Sequence, residues 1–124
     1  MKILVIIYGN KDLWESFPPE SWGPAIEAQN AFNDRYIATG KLLSAFGLGD
    51  ETTAKTVRRR NGLPAVTEGP YVEAKEFVSS VYLLEVDSEA RALEIAADIP
   101  FAAERAVELW PVLHGSGMEM RPTK

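Results

Sequence analysis

Apolar and polar positions along this 124-residue chain group into short blocks, each with the period of one type of element. KILVIIY (Lys2–Tyr8) is a β-branched apolar run ahead of Gly9-Asn10, which predicts a buried strand and its turn. DLWESFPPESWGP follows as a loop, because Pro18, Pro19, Gly23 and Pro24 forbid a long helix before about Ser21, the expected N-cap. From there to Thr39 the pattern is helical: Trp22, Ile26, Gln29, Asn33 and Tyr36 recur every three or four residues, with Ala25 and Phe32 alongside, and Gly40 ends the helix. KLLSAFGLG predicts a second strand that breaks up at its glycines. TAKTVRRR and LPAV flank Asn61-Gly62, a strong type I′ hairpin signal, with Pro64 placing the second arm at a sheet edge. FVSSVYLLEV (Phe77–Val86) is the longest strand candidate. Asp87 or Ser88 then caps a helix through about Ile99, stopped by Pro100, and AVELWPVL (Ala106–Leu113) is a last strand.

The order is β-α-β-(hairpin)-β-α-β, an α+β, ferredoxin-like split βαβ layout with an inserted hairpin. Two helices cover one face of such a sheet, yet the strands are apolar on both. Ile3, Val5 and Ile7 lie on one side of the first strand and Leu4, Ile6 and Tyr8 on the other; the last strand alternates Val107, Leu109 and Pro111 with Glu108, Trp110 and Val112. An apolar sheet face of that size does not stay in water. The simplest remedy is a homodimer whose sheets pack face to face, the alternative being a long loop across part of the face.

Length and composition narrow the picture to one domain over residues 1–114, with 115–124 expected to be a mobile tail. A net charge of −5 argues against a nucleic-acid partner, and the one basic cluster, Arg58-Arg59-Arg60, alternates sides in a strand. The chain has no cysteine, which excludes disulfides and thiolate chemistry. The opening apolar run, Ile3–Ile7, is too short for a signal-peptide core or a membrane span, so no membrane partner and a cytoplasmic location are expected. One histidine with scattered acids gives no metal-ligand spacing, and GLGD lacks the lysine and helix of a phosphate loop, so no cofactor is expected.

The ordered set LVIIYG, Glu68-Gly69-Pro70-Tyr71, EAKE (Glu73–Glu76), YLLEVDS (Tyr82–Ser88), Ile99-Pro100 and VELWPVL resembles the YCII-related family, specifically its DGPF-type branch, over nearly the whole domain. That resemblance implies a dimeric α/β barrel, in agreement with the uncovered face. The chain departs from the branch in having Glu68 and Tyr71 for aspartate and phenylalanine, Ser79 and Ser80 for glycines, and Trp110 for arginine. If Trp110 looks into the pocket, the ligand is less anionic and more aromatic than a typical relative would take. Relatives with better-defined chemistry carry a histidine on or near the first helix, paired with an aspartate; here the only histidine is His114, after the last strand, where a solvent or interface role competes with that of a general base.

Four groups of candidate site residues stand out. Glu68 at its Gly-Pro turn, with Tyr71 and Lys75 nearby, suits acid–base work; the bland alternative is that Glu68 and Tyr71 order the turn while Lys75 pairs with Glu73 or Glu76. Gln29 and Asn33 sit on a helix stripe where leucine or alanine is usual, so they either bond to backbone or line a polar pocket. Tyr8, Tyr82 and Trp110 form a ligand cage or serve as packing. Trp14, in a loop bounded by proline and glycine, is a candidate lid. By the resemblance, relatives use the cleft between sheet and helices for isomerisation, elimination or cofactor-free oxygenation. An apolar or aromatic small-molecule ligand of secondary metabolism would then meet Glu68 as proton acceptor, Tyr8 or Tyr71 as donor, and Gln29 and Asn33 as carbonyl-orienting amides, with Trp14, Tyr82 and Trp110 in contact. The competing functions are a non-catalytic small-molecule-binding or regulatory module, and a scaffold with no pocket.

Overall fold

The computed structural model describes residues 1–72 and 74–117. Its elements are strand β1 (Lys2–Asn10), helix α1 (Lys11–Ser16), a 3-10 turn (Pro19–Ser21), helix α2 (Trp22–Ala38), strand β2 (Leu42–Gly47), a 3-10 turn (Glu51–Thr53), strands β3 (Lys55–Arg60), β4 (Leu63–Glu68) and β5 (Glu76–Glu85), helix α3 (Glu89–Ala97), a 3-10 turn (Pro100–Ala103) and strand β6 (Val107–Pro111). A four-stranded antiparallel sheet runs β2-β5-β1-β6, and β3-β4 form a separate two-stranded ribbon. This is the α+β split βαβ layout with the hairpin inserted between β2 and β5.

Several local expectations are corrected. Gly9-Asn10 does not turn: β1 continues through it, and the Asn10 side chain accepts from the Leu13 amide to cap α1, inside the stretch expected to be loop. Phe17, extended ahead of Pro18, then ends that helix. Ser21 makes no side-chain cap; its hydroxyl donates to the Pro18 carbonyl, so the 3-10 turn runs straight into α2. Helix α3 stops at Ala97, short of Ile99, which opens the next turn, and β6 ends at Pro111. Ser88 caps α3 as expected, accepting from the Arg91 amide. Of the tail, residues 118–124 lie outside the described region.

The core lies between the helices and one sheet face. Ile3, Val5 and Ile7 of β1, Leu42 of β2, and Tyr82 and Leu84 of β5 pack with Phe32 and Tyr36 of α2 and Ala92, Ile95 and Ala96 of α3, closed by Val86 and Ile99. Each large apolar member contributes about 1.5–3 kcal/mol by leaving water. The opposite face carries Leu4, Ile6, Tyr8, Val81, Leu83, Phe46 and Trp110, placed there by the cross-strand register. Phe46 and Trp110 remain 61% and 55% exposed, so the described chain leaves this part of the face uncovered. One irregularity sets the end of the sheet: Ile7 pairs with Ser80 and Tyr8 with Val78, leaving Ser79 as an extra residue whose hydroxyl donates to the Ile7 carbonyl. That bulge turns Phe77 to the helix side, where it pairs with Gly9, and Val78 to the outer face.

Candidate functional site

On the helix side, the end of the sheet and the first two helices enclose a cleft of about 630 Å³. Sequence dictates most of its wall. The Asn10 cap starts α1 one turn before Trp14, which lands among Phe17, Trp22 and Phe101 with ring centroids 6.1, 5.6 and 5.3 Å away. Edge and tilted arrangements of this kind hold the rings beyond simple burial. Gly9 allows the approach: a side-chain carbon there would stand 2.8 Å from Trp14 Nε1 and 2.9 Å from Phe77 Cε2. Ile7, Phe77, Ser80 and Tyr82 form the floor, Ile26 and Gln29 of α2 the roof, and Gly47–Glu51 the mouth.

The polar groups in this cleft are few. Gln29 Nε2 donates to Asn33 Oδ1 at 2.9 Å, one helical turn on, which commits one amide to the other. Gln29 Oε1 is buried with no hydrogen-bond partner among the described residues. An acceptor left in that state costs about 1–3 kcal/mol until something donates to it. Burial pushes the Tyr82 phenol up to about 12, so it stays neutral and able to donate. At the mouth, Asp50 accepts from the Thr52 hydroxyl and amide at 2.7 and 2.9 Å, and these two bonds hold its carboxyl below the usual range. Glu51 lies beside it on the 3-10 turn and lines both this cleft and a second one on the other side of the loop.

A second cleft of about 600 Å³ opens on the other side of the same loop, between Tyr8 and Val78 of the outer face and Ala54, Pro70 and Val72 at the root of the ribbon. On that face Glu108 Oε1 accepts from Tyr8 Oη at 2.9 Å and from Trp110 Nε1 at 3.1 Å. The hydrogen bond to Glu108, then burial and the Glu108 charge, raise the Tyr8 phenol above its ordinary value.

The sequence-derived candidates therefore fall into three places. Trp14, Gln29 and Tyr82 line one cleft, and Asn33 anchors it through Gln29. Trp14 sits on α1 and not in a loop, and the amides bond each other and not backbone. Tyr8 and Trp110 meet at Glu108 on the outer face, so Trp110 does not enter the helix-side cleft. Glu68, Tyr71 and Lys75 converge on neither cleft: Glu68 pairs with Lys55 at 2.6 Å, Tyr71 lies under the Arg58 guanidinium at 5.0 Å, and Lys75 approaches Asp12 at 3.6 Å instead of Glu76. Glu73 lies outside the described residues. His114 is exposed beyond β6. Sequence reasoning passed over Asp50, Glu51, Phe101 and Glu108. The Asp-x-Thr spacing at Asp50–Thr52 is the one signal that locates the mouth, since it marks a side-chain-capped turn. Among the described residues no three His, Asp or Glu side chains gather as metal ligands, and no helix is long and apolar enough to cross a membrane.

Against this geometry, the family model for the YCII-related domain matches residues 1–115. The chain is 28% identical over 99 residues to an uncharacterised protein of Rhizobium meliloti (strain 1021), covering 80% of each. It is also similar to the structure of 5-chloro-2-hydroxyhydroquinone dehydrochlorinase from Burkholderia phenoliruptrix in complex with 2,5-dihydroxybenzoquinone, at 16% identity and a TM-score of 0.48, over 93% of this chain and 96% of that one.

Proposed function

The chain belongs to the YCII-related family, and on that premise we propose that its helix-side cleft binds a small, flat, hydroxylated cyclic metabolite and moves a proton on it. The observation that carries this is a cleft made mostly of aromatic and apolar surface, lined in part by Gln29, whose Oε1 is buried and unpaired among the described residues. Such a wall rewards a planar apolar ligand, and a buried acceptor selects one that brings an O–H or N–H. Tyr82 supplies the complementary donor.

Proton transfer needs a base within reach. The role first given to Glu68 passes to Glu51, because Glu68 sits on the ribbon against Lys55 while Glu51 lines the cleft. Asp50 is the poorer base: the Thr52 donors stabilise its anion, and its part is to hold the mouth loop in shape. Isomerisation or elimination on a ring alcohol requires no more than this base, a donor such as Tyr82 for the developing oxyanion, and the aromatic walls to exclude water. The family resemblance supports this without an added metal or nucleotide.

A second function, a ligand-binding module without turnover, is favoured by one observation: both carboxylates lie at the mouth, whereas the deeper wall carries only amide, hydroxyl and aromatic groups. One experiment addresses both. Mono- and dihydroxylated aromatic compounds are titrated calorimetrically into wild type, Gln29→Leu and Glu51→Gln, and the same mixtures are followed for turnover. Binding by wild type, weakened about tenfold in Gln29→Leu as expected for one lost hydrogen bond of about 1.4 kcal/mol, supports the site. Turnover abolished in Glu51→Gln with binding retained supports the enzyme; binding without turnover in wild type leaves the module. No binding by any compound, or equal binding by Gln29→Leu, refutes the site.

A further inference from the structure

The β3-β4 ribbon is left without a partner. Two-stranded ribbons are marginal in water by themselves, and this one pairs with no other strand of the described chain. Its register places Lys55 opposite Glu68, Val57 opposite Val66 and Arg59 opposite Pro64, so these six share one face. Val57 is 62% and Val66 56% exposed, which makes that face an apolar centre bounded by charge. On that face Lys55 pairs with Glu68 and Arg59 stands as the remaining charge, on an arm that also carries Arg58 and Arg60 on its other face in a chain whose net charge is −5.

The ribbon also stands on a particular side. Its root residues Ala54, Pro70 and Val72 wall the second cleft together with Tyr8 and Val78, which belong to the outer sheet face. A body seated on that face therefore meets the ribbon. The face itself is apolar around one acid, Glu108, whose Oε1 takes both neutral donors while Oε2 takes no hydrogen bond among the described residues. Burying a carboxylate in that condition is costly unless a cation completes it.

We propose that the ribbon is a clasp for a second copy of this chain: its Val57–Pro64–Val66 face closes on the partner's outer sheet face, and Arg59 pairs with Glu108 of the partner subunit. The charges complement each other, a basic arm against an acid-bearing apolar surface, and the two-fold makes the exchange reciprocal. The clasp shelters both unpartnered apolar surfaces at once and fills the free oxygen of the carboxylate. It goes beyond a simple stacking of sheets, because it assigns the ribbon a role and makes the association depend on one ion pair. It is independent of what the helix-side cleft binds.

The test is a measurement of mass in solution: light scattering after gel filtration and sedimentation equilibrium across a dilution series, with far-UV circular dichroism on each variant to show that the domain stays folded. Wild type is expected to be a dimer. Arg59→Glu and Glu108→Arg are each expected to weaken the dimer at least about tenfold, and the double variant to recover most of that loss. Val57→Asp, on the apolar centre, is expected to weaken it as well. A monomeric wild type overturns the proposal, and so does a dimer whose dissociation constant is unchanged in Arg59→Glu and Val57→Asp.

Discussion

Gly9→Ala adds a single methyl at the one point where β1, α1 and β5 come closest. The added carbon stands 2.8 Å from Trp14 Nε1, 2.9 Å from Trp14 Cζ2 and 2.9 Å from Phe77 Cε2. Ordinary carbon contacts begin at about 3.5 Å, so both rings, or the strand itself, must give by roughly 0.6 Å. Neither ring is the loose end of a flexible chain: Trp14 is held against Phe17, Trp22 and Phe101. Overpacking of this kind costs about 1–3 kcal/mol. With a urea slope of about 2 kcal/mol per molar for a small domain, the unfolding midpoint drops by about 0.5–1.5 M. The assay is equilibrium urea unfolding followed by tryptophan emission, which also reports the changed surroundings of Trp14 in the folded baseline. Gly47→Ala is the control, since nothing lies within 4 Å of a carbon added there, and its stability stays within about 0.5 kcal/mol of wild type, a midpoint change of no more than about 0.25 M. An unaltered midpoint and folded-state emission in Gly9→Ala would refute the close approach and, with it, the wall of the helix-side cleft.

Tyr82, pushed up to about 12 by burial, favours folding in its neutral form, so that contribution is complete below about pH 10 and is lost as pH rises toward 12. Ultraviolet titration of the folded protein should show a phenol ionising near pH 12, and Tyr82→Phe should remove that step along with part of the alkaline loss of stability. Glu85 is held below the usual carboxylate range by its hydrogen bond from Lys2 and then by that from the Met1 amino group, both 2.8 Å long, so its contribution is present above about pH 4.5 and fades as pH falls. Thermal melts of Glu85→Gln should therefore lie below wild type at pH 7, by no more than about 1 kcal/mol because the pair is partly exposed, and meet it near pH 3.

The order of elements was legible because the chain's periods are clear: alternation or short apolar runs for strands, threefold and fourfold spacing for α2 and α3, and Asn61-Gly62 between β3 and β4. That turn puts φ at 52° and 79°, as a type I′ hairpin requires. Helix α1 was not legible. Its signal is one asparagine cap within a stretch whose prolines and glycines speak for loop, and tertiary packing of Trp14 settles the matter. In the site, Gln29 and Trp14 stood out because a buried amide on an apolar stripe and a large ring near two prolines each call for a partner. Glu68, Tyr71 and Lys75 stood out for their turn, but where a turn points depends on the path of the ribbon, which no local pattern encodes. Glu108 was visible only as an outward residue of β6; its two donors come from positions 8 and 110, and strand register alone brings the first of them near.

The spare residue at Ser79 has a consequence for how this domain can change. It sets the parity of Glu76–Val78, the residues of β5 ahead of it: with Ser79 drawn into a regular ladder Phe77 and Val78 would exchange sides, whereas with Ser79 lost both keep the partners and the sides they have. Loss of a single codon there would shorten the strand and carry no side chain across the sheet, with the buried Tyr82–Leu84 segment also left in place. Length at this one position is thus a place where such a sheet absorbs a deletion, and change in the chambers themselves runs through exchange of side chains.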